Sequence, residues 1–366
     1  MAYTDIDKPS DYFETKLYTG NAGTLNVTGL DFQPDWVWIK NRTSDYTHGL
    51  YDSVRGAGSS KGIYSNTNEA EGTNSAFQNL TSFNSDGFSL GSTSNTNVIN
   101  TNSQNHVSWN WKAGTSFTND ASATGVGTID STGSVNDTAG FSIVSYTGNT
   151  TAGATIKHGL STVPDVIICK ARQDSGGAIE WVVYHKGIST PQNNTLTLNT
   201  NAAKVDRTIA WNDTAPTSSV FSVGTWVGTN AAVPMIAYVF SEKKGYSKFG
   251  SYNGNSNADG TFVYTGFKPA FVMVKMINGA DDWQILDNKR NTFNVMNEYL
   301  RPNSNGATTT NDVVDFTSSG FKQRSSFGSW NHSSYSYLYM AFAENPFVTS
   351  TGVPACARWL CSYLLT

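Results

Sequence analysis

Phe13-Glu14-Thr15-Lys16-Leu17-Tyr18-Thr19-Gly20-Asn21, followed by Phe32-Gln33-Pro34-Asp35-Trp36-Val37-Trp38-Ile39-Lys40, opens a pattern that the chain repeats twice. The second copy is Phe141-Ser142-Ile143-Val144-Ser145-Tyr146-Thr147-Gly148-Asn149, then Val163-Pro164-Asp165-Val166-Ile167-Ile168-Cys169-Lys170. The third is Phe249-Gly250-Ser251-Tyr252-Asn253-Gly254-Asn255, then Lys268-Pro269-Ala270-Phe271-Val272-Met273-Val274-Lys275. The Pro-to-Lys spacing is six residues in every copy: Pro34 to Lys40, Pro164 to Lys170, Pro269 to Lys275. Each copy ends on an alternating aromatic run, at Trp109-Asn110-Trp111, Tyr238-Val239-Phe240 and Tyr337-Leu338-Tyr339-Met340-Ala341-Phe342. From opening Tyr to closing aromatic the spans are 93, 94 and 90 residues. Shared order and shared span make this an internal repeat, whose anchors are Tyr18, Tyr146 and Tyr252 with Gly20, Gly148 and Gly254.

Each repeat reads as β-structure. Tyr-(Thr/Asn)-Gly-Asn between strand-like runs has hairpin chemistry, because Gly and Asn tolerate positive φ. The Pro lacks a ladder donor and is expected at a strand's first position. Val166-Ile167-Ile168-Cys169 and Phe271-Val272-Met273-Val274 are apolar on both faces, as in strands covered on two sides. The Lys that ends each run is expected to extend to the rim. A short helix is expected within residues 288–300, where Val295, Met296 and Tyr299 fall at helical spacing. Six or more short strands in about 95 residues predict an all-β chain of three tandem homologous β-sandwich, jelly-roll-like modules. One compact three-fold assembly made by a single chain is the alternative. The expected boundaries are 1–114 for module 1 with an N-terminal docking segment, 115–138 for a Gly/Ser/Thr-rich linker, 139–245 for module 2, 246–347 for module 3 and 348–366 for a C-terminal tail.

Composition narrows the function classes. The chain has 366 residues and a net charge of -4, and only 14% of its residues are charged. Asn, Ser and Thr supply 120 residues, so the surface is polar but poor in charge. With 24 Lys and Arg against 28 Asp and Glu and no basic cluster, nucleic-acid binding is not expected. No apolar run reaches the roughly 18 residues of a membrane-spanning helix. No signal peptide is visible at the N-terminus. Cys169, Cys356 and Cys361 form neither a disulfide framework nor, with the five scattered His, a zinc set. The expectations are folding in a reducing cytoplasm, no metal and no cofactor.

Longer strings carry a family resemblance. Phe32 to Arg42 with Tyr51-Asp52-Ser53-Val54-Arg55-Gly56, Lys243 to Tyr252, and Ala341-Phe342-Ala343-Glu344-Asn345-Pro346-Phe347 resemble an uncharacterised family of virion proteins from marine tailed bacteriophages. The resemblance runs from about residue 9 to about 354 and implies a non-enzymatic structural part of the particle, a tail fibre or a head decoration. It implies other virion proteins as partners and a homo-oligomer, with a trimer favoured. The localisation it implies is the virion exterior after folding in the host cytoplasm. Residues 355–366 depart from the pattern and read either as an anchoring tail or as a divergent end.

Two further readings stay open. In a receptor-binding adhesin, host glycan or a protein partner would meet aromatic and amide groups at Gly-rich loop tips. The candidates are Trp226 and Asn230 in one loop, with Trp330, Asn331 and His332 in what reads as the equivalent loop of the third repeat. The remaining strand tryptophans, Trp36, Trp38, Trp109, Trp111, Trp181 and Trp283, are expected in the core. A polysaccharide depolymerase would need paired carboxylates across a cleft, and Asp281-Asp282 is the densest acidic site. The second repeat has Ile179-Glu180-Trp181 at that place and does not keep the pair. The stretch Asn255 to Gly260 imitates a calcium loop but ends on Gly266 where a bidentate acid is required.

Overall fold

The structure is a computed structural model that describes residues 3–73, 79–92 and 98–355. It is all-β, and among the described residues no helix exceeds four residues. Unit 1 contains β1 (Phe13–Thr19), β2 (Leu25–Thr28), β3 (Trp36–Asn41), β4 (Gly49–Asp52), β5 (Leu80–Asn84), β6 (Gly87–Leu90) and β7 (Asn105–Trp111). Unit 2 begins with β8 (Thr115–Asn119) and β9 (Ser131–Asn136), followed by β10 (Phe141–Thr147), β11 (Ala154–Lys157), β12 (Val166–Ala171) and β13 (Val182–His185). It continues through β14 (Asn194–Thr197), β15 (Val205–Asp206), β16 (Val220–Val223) and β17 (Pro234–Phe240). Unit 3 has β18 (Ser247–Asn253), β19 (Phe262–Tyr264), β20 (Phe267–Met276), β21 (Gln284–Asp287), β22 (Met296–Tyr299), β23 (Thr309–Thr317), β24 (Gly320–Gln323) and β25 (Ser336–Pro346).

The three main sheets share one strand order. They run β1-β7-β3-β4, β10-β17-β12-β13 and β18-β25-β20-β21, all antiparallel. In each, the opening Tyr strand and the Pro-to-Lys strand flank the closing aromatic strand. A smaller sheet covers one face of each main sheet: β2-β6-β5, β11-β16 and β19-β24-β23-β22.

Side chains alternate across a strand, so a strand apolar at every position needs two covers. Val37 and Ile39 face the small sheet of unit 1, whereas Trp36 and Trp38 face a core that draws on all three units. Likewise Ile167 and Cys169 belong to unit 2's own core, and Val166 and Ile168 to the common one. Val272 and Val274 divide from Phe271 and Met273 in the same way. The closing aromatics meet at the centre. Trp111, Phe240 and Phe342 form a triangle with ring centroids 6.5, 5.9 and 5.7 Å apart, all three pairs edge to face. The tandem-module expectation is therefore corrected: the units close around one aromatic core, which is the compact alternative.

Other expectations also change. Residues 115–138 are not a free linker; β8 and β9 form a hairpin that adds two strands to β10. The docking role expected of the N-terminal segment meets a segment bound to its own chain. Ile6 enters the common core, and Thr4 and Asp5 hydrogen-bond to the carbonyl of Lys244 between units 2 and 3. The helix expected at 288–300 is a loop and strand, because the Asn291 side chain accepts from the amides of Asn297 and Glu298. Pro34 and Pro164 lie two residues before their strands, and Pro269 sits inside β20 at a bulge. The tail from residue 356, with Cys356 and Cys361, lies outside the described residues.

The Tyr-x-Gly-Asn segment joins two sheets and is not a hairpin. Its left-handed residue comes two positions after the Gly, at Ala22, Thr150 and Ser256, with φ of 56, 59 and 55°. The Gly serves close approach: a Cβ on Gly148 would lie 2.1 Å from the Ala231 carbonyl oxygen, and Gly20 and Gly254 are equally tight. Gly148→Ala is expected to cost about 1–3 kcal/mol in denaturant unfolding. Gly328→Ala, at a site with no neighbour within 4 Å of the new Cβ, is expected to stay within about 0.5 kcal/mol.

Candidate functional site

The loop tips hold most of their sequence-derived residues inside the fold. Tyr18, Tyr146 and Tyr252 each donate a hydroxyl bond to a loop carbonyl, that of Ile99, Thr229 or Trp330, at 2.6–2.8 Å. The next residue is a buried Asn in every unit: Asn100, Asn230 and Asn331. Each accepts from the amide that follows the anchor Gly, at Asn21, Asn149 and Asn255. Each also donates to loop carbonyls, those of Gly23, Gly224 and Asn257 among them. Asn230 and Asn331 thus tie loops together from fully buried positions. This register pairs Trp330 with Thr229 and Trp226 with Phe327, which corrects the expected equivalence of the two tryptophans. Trp330 is fully buried in the core of unit 3. Trp226 is half-buried, with the Arg207 guanidinium 3.9 Å from its ring centre. His332 is exposed, its Nδ1 accepting from the Ser334 amide. Trp330→Ala is expected to cost about 3–5 kcal/mol. Trp226→Ala, losing a half-buried ring that stacks on Arg207 and packs against unit 2's core, is expected to cost less, about 1–2 kcal/mol. Denaturant midpoints compare the two, and equal losses would contradict this placement.

The densest buried chemistry lies between units. Lys40, Lys170 and Lys275 do not reach the rim; they are at most 1% exposed. Each ammonium crosses to a carbonyl of the preceding unit: Lys40 to Asn305, Lys170 to Asn68 and Lys275 to Asn201, at 2.9, 3.0 and 3.3 Å. The contacts run 1 to 3, 2 to 1 and 3 to 2, so they close a ring. The acceptors sit in a repeated Asn-(Thr/Ser)-Asn motif at 66–68, 199–201 and 303–305. Its first Asn accepts from the amide of His48, Trp181 or Trp283 in its own unit. The rings of those same residues cross to the preceding unit. Trp181 donates to Tyr64 O, Trp283 to Thr197 O, and His48 Nε2 to Arg301 O. Burial strips water from the lysines and pushes Lys40 down to about 7, and Lys170 and Lys275 to about 8. The Asn-(Thr/Ser)-Asn repeat is legible in the sequence, but the ring it closes is not, because its partners lie in different units.

A second set of groups closes the same interfaces. Asp52 and Arg55 form a fully buried ion pair at 2.5 Å, and Asp287 and Arg290 form its equivalent at 2.6 Å. Tyr238 of unit 2 donates to Asp52 and Trp109 of unit 1 donates to Asp287, at 2.7 and 3.0 Å. In unit 2 the corresponding positions are His185 and Ile188. His185 Nε2 bonds the Tyr339 carbonyl of unit 3 at 3.1 Å. The acidic pair Asp281-Asp282 is occupied structurally, by the Ser329 hydroxyl, the Asn303 amide and Arg301. Among the described residues no group of three or more His, Cys, Asp or Glu is placed to hold a metal.

The family description "Domain of unknown function (DUF7483)" matches residues 8–346. The chain belongs to the DUF7483 family. The DUF7483 match takes in all three units as one domain, in keeping with their common core. No curated protein and no solved structure matches the chain significantly.

Proposed function

We propose that the chain is a non-enzymatic structural component of a tailed-phage virion, a tail fibre or head decoration, acting by protein–protein assembly. The observation that carries this reading is where the buried charge goes. Three lysines and two Asp–Arg pairs are committed to closing one chain into a ring, a use suited to a rigid building block. The family resemblance supports the same reading. β8 adds a further element, since it ends the eight-stranded sheet as an edge able to extend onto a neighbour. The partners in this reading are other virion proteins. A trimer of chains follows the general preference for closed symmetry, while the internal three-fold ring supports a single chain in that role. Mass spectrometry of purified particles tests the reading. The expected result is the protein in the virion at a fixed copy number, hundreds if on the head and a few if on the tail. Its absence from particles would overturn the proposal. Release of reducing ends from host polysaccharide by the purified protein would point to a depolymerase instead.

A further inference from the structure

Unit 3 departs from its siblings on one exposed hairpin. Register aligns Val27, Ile156 and Val263 as inward residues opposite Phe88, Phe221 and Phe321. Their outward neighbours are Asn26 and Thr28 in unit 1, and Thr155 and Lys157 in unit 2. In unit 3 they are Phe262 and Tyr264, exposed by 46% and 62%. A solvent-facing aromatic pair at this one unit does not arise from packing that the other two units share.

Tyr264 also lines a cleft of about 450 Å³, within the size range of small-ligand sites. The N-terminal segment forms another wall and contributes Tyr3, which is 60% exposed. That segment is fixed where it crosses: Thr4 bonds the Lys244 carbonyl and rests tightly on Gly245. The same cleft is lined by Asp5, Glu242, Lys244 and Lys248. Two acids and two lysines leave the wall without net charge, and Glu242 already pairs with Lys248 at 3.1 Å. A charged ligand would find no uncompensated partner here. Two accessible aromatic rings, each with a hydroxyl, among fixed donors and acceptors, suit a ligand with apolar C–H faces and many hydroxyls.

We propose that this cleft binds a neutral saccharide, one or two sugar rings long, stacked on Tyr264 and Tyr3. The site is separate from the loop-tip tryptophans, and the proposal does not rest on a virion location. Calorimetry on the full chain and mass spectrometry of particles can therefore fail separately. The probes are maltose, cellobiose and N,N′-diacetylchitobiose, each titrated into the protein. At least one is expected to bind with a Kd near 1 mM, about −4 kcal/mol. Tyr264→Ala and Tyr3→Ala are each expected to weaken that binding at least tenfold. Trp226→Ala and added salt should leave it unchanged. Both tyrosines are exposed, so their variants should melt at the wild-type temperature, separating lost binding from lost folding. No heat from any probe up to about 10 mM, or full binding by Tyr264→Ala, would overturn the proposal.

Discussion

Replacing Arg290 with Met is expected to lower stability by about 3–5 kcal/mol, because it leaves the Asp287 carboxylate buried without its counter-charge. Both side chains of the pair are fully buried. The guanidinium also donates to the Ile285 carbonyl at 2.9 Å and lies 5.7 Å from the Trp109 ring centre. Arg55→Met is expected to cost as much or more. The Arg55 guanidinium serves Asp52, Glu71, Leu50 O and Lys61 O together. Burial opposes its charge, but the Asp52 carboxylate, Tyr238 and Glu71 outweigh burial and hold its pKa above the usual value. Chemical denaturation of the single variants measures both losses. A loss below about 1 kcal/mol, the range of an exposed ion pair, would contradict the argument.

Unit 2 shows how the fold dispenses with this pair, and the reason lies in the next unit. Asp52 and Asp287 each face a donor from the following unit, Tyr238 or Trp109. The residue at that position opposite unit 2 is Met340, which has nothing to donate. A carboxylate at 185 would be buried with neither a donor nor an arginine, since position 188 is Ile. His185 instead donates to the Tyr339 backbone carbonyl. Asp287→His combined with Arg290→Ile removes the buried charges together and leaves only the neutral Trp109 indole N–H without its carboxylate acceptor. The double variant is expected to be more stable than Arg290→Met by at least about 1 kcal/mol. A double variant as unstable as the sum of its single changes would refute the coupling.

Much of the architecture was legible in the sequence, and the failures have physical causes. The repeat spacing gave three equivalent main sheets, and the closing aromatics used to measure it proved to be the central triangle. The strand tryptophans are core, as expected. The common core was hidden because a strand apolar on both faces says only that two covers exist, not which unit supplies them. Residues 115–138 read as linker in the sequence because the strands of the hairpin there carry short polar side chains with little hydrophobic alternation. Pairing there is specified by the edge of β10. General grounds place the lysines at the rim, yet each finds a carbonyl acceptor across an interface. Gly-rich context alone matches the two tryptophans of the candidate site, and only the Tyr hydroxyl bonds set the true register three residues apart.

The protein is expected to unfold between about pH 6 and pH 4 and to gain stability from neutrality toward pH 10. Four histidines are buried with both ring nitrogens engaged. In His48 and His185, Nδ1 accepts from Trp38 Nε1 and the Gly187 amide, while Nε2 faces a carbonyl. His158 repeats this with the Leu160 amide and the Thr217 carbonyl. In His106 the roles are exchanged, with Nδ1 at the Gln104 carbonyl and Nε2 at the Asn41 amide. A second ring proton would confront an N–H donor in each case. Burial pushes His48 and His185 down to about 3, and His106 and His158 down to about 4. A base whose folded pKa lies below its unfolded value of about 6.5 takes up protons more readily in the unfolded chain. Its contribution is present in full above pH 6.5 and is lost as pH falls toward the folded pKa. At about 1.4 kcal/mol per tenfold difference in proton affinity, each histidine withdraws about 3–5 kcal/mol, so together they rival the whole stability of a typical domain. The interface lysines obey the same sign at higher pH. Their folded values of about 7 and 8 lie below the ordinary 10.5, so stability rises from neutrality toward pH 10 as the buried charge is relieved. Melting temperatures across pH 4–10 check both windows. His158→Gln should flatten the acid limb by roughly a quarter, while a wild-type stability unchanged down to pH 4 would show that these rings accept protons in the folded state.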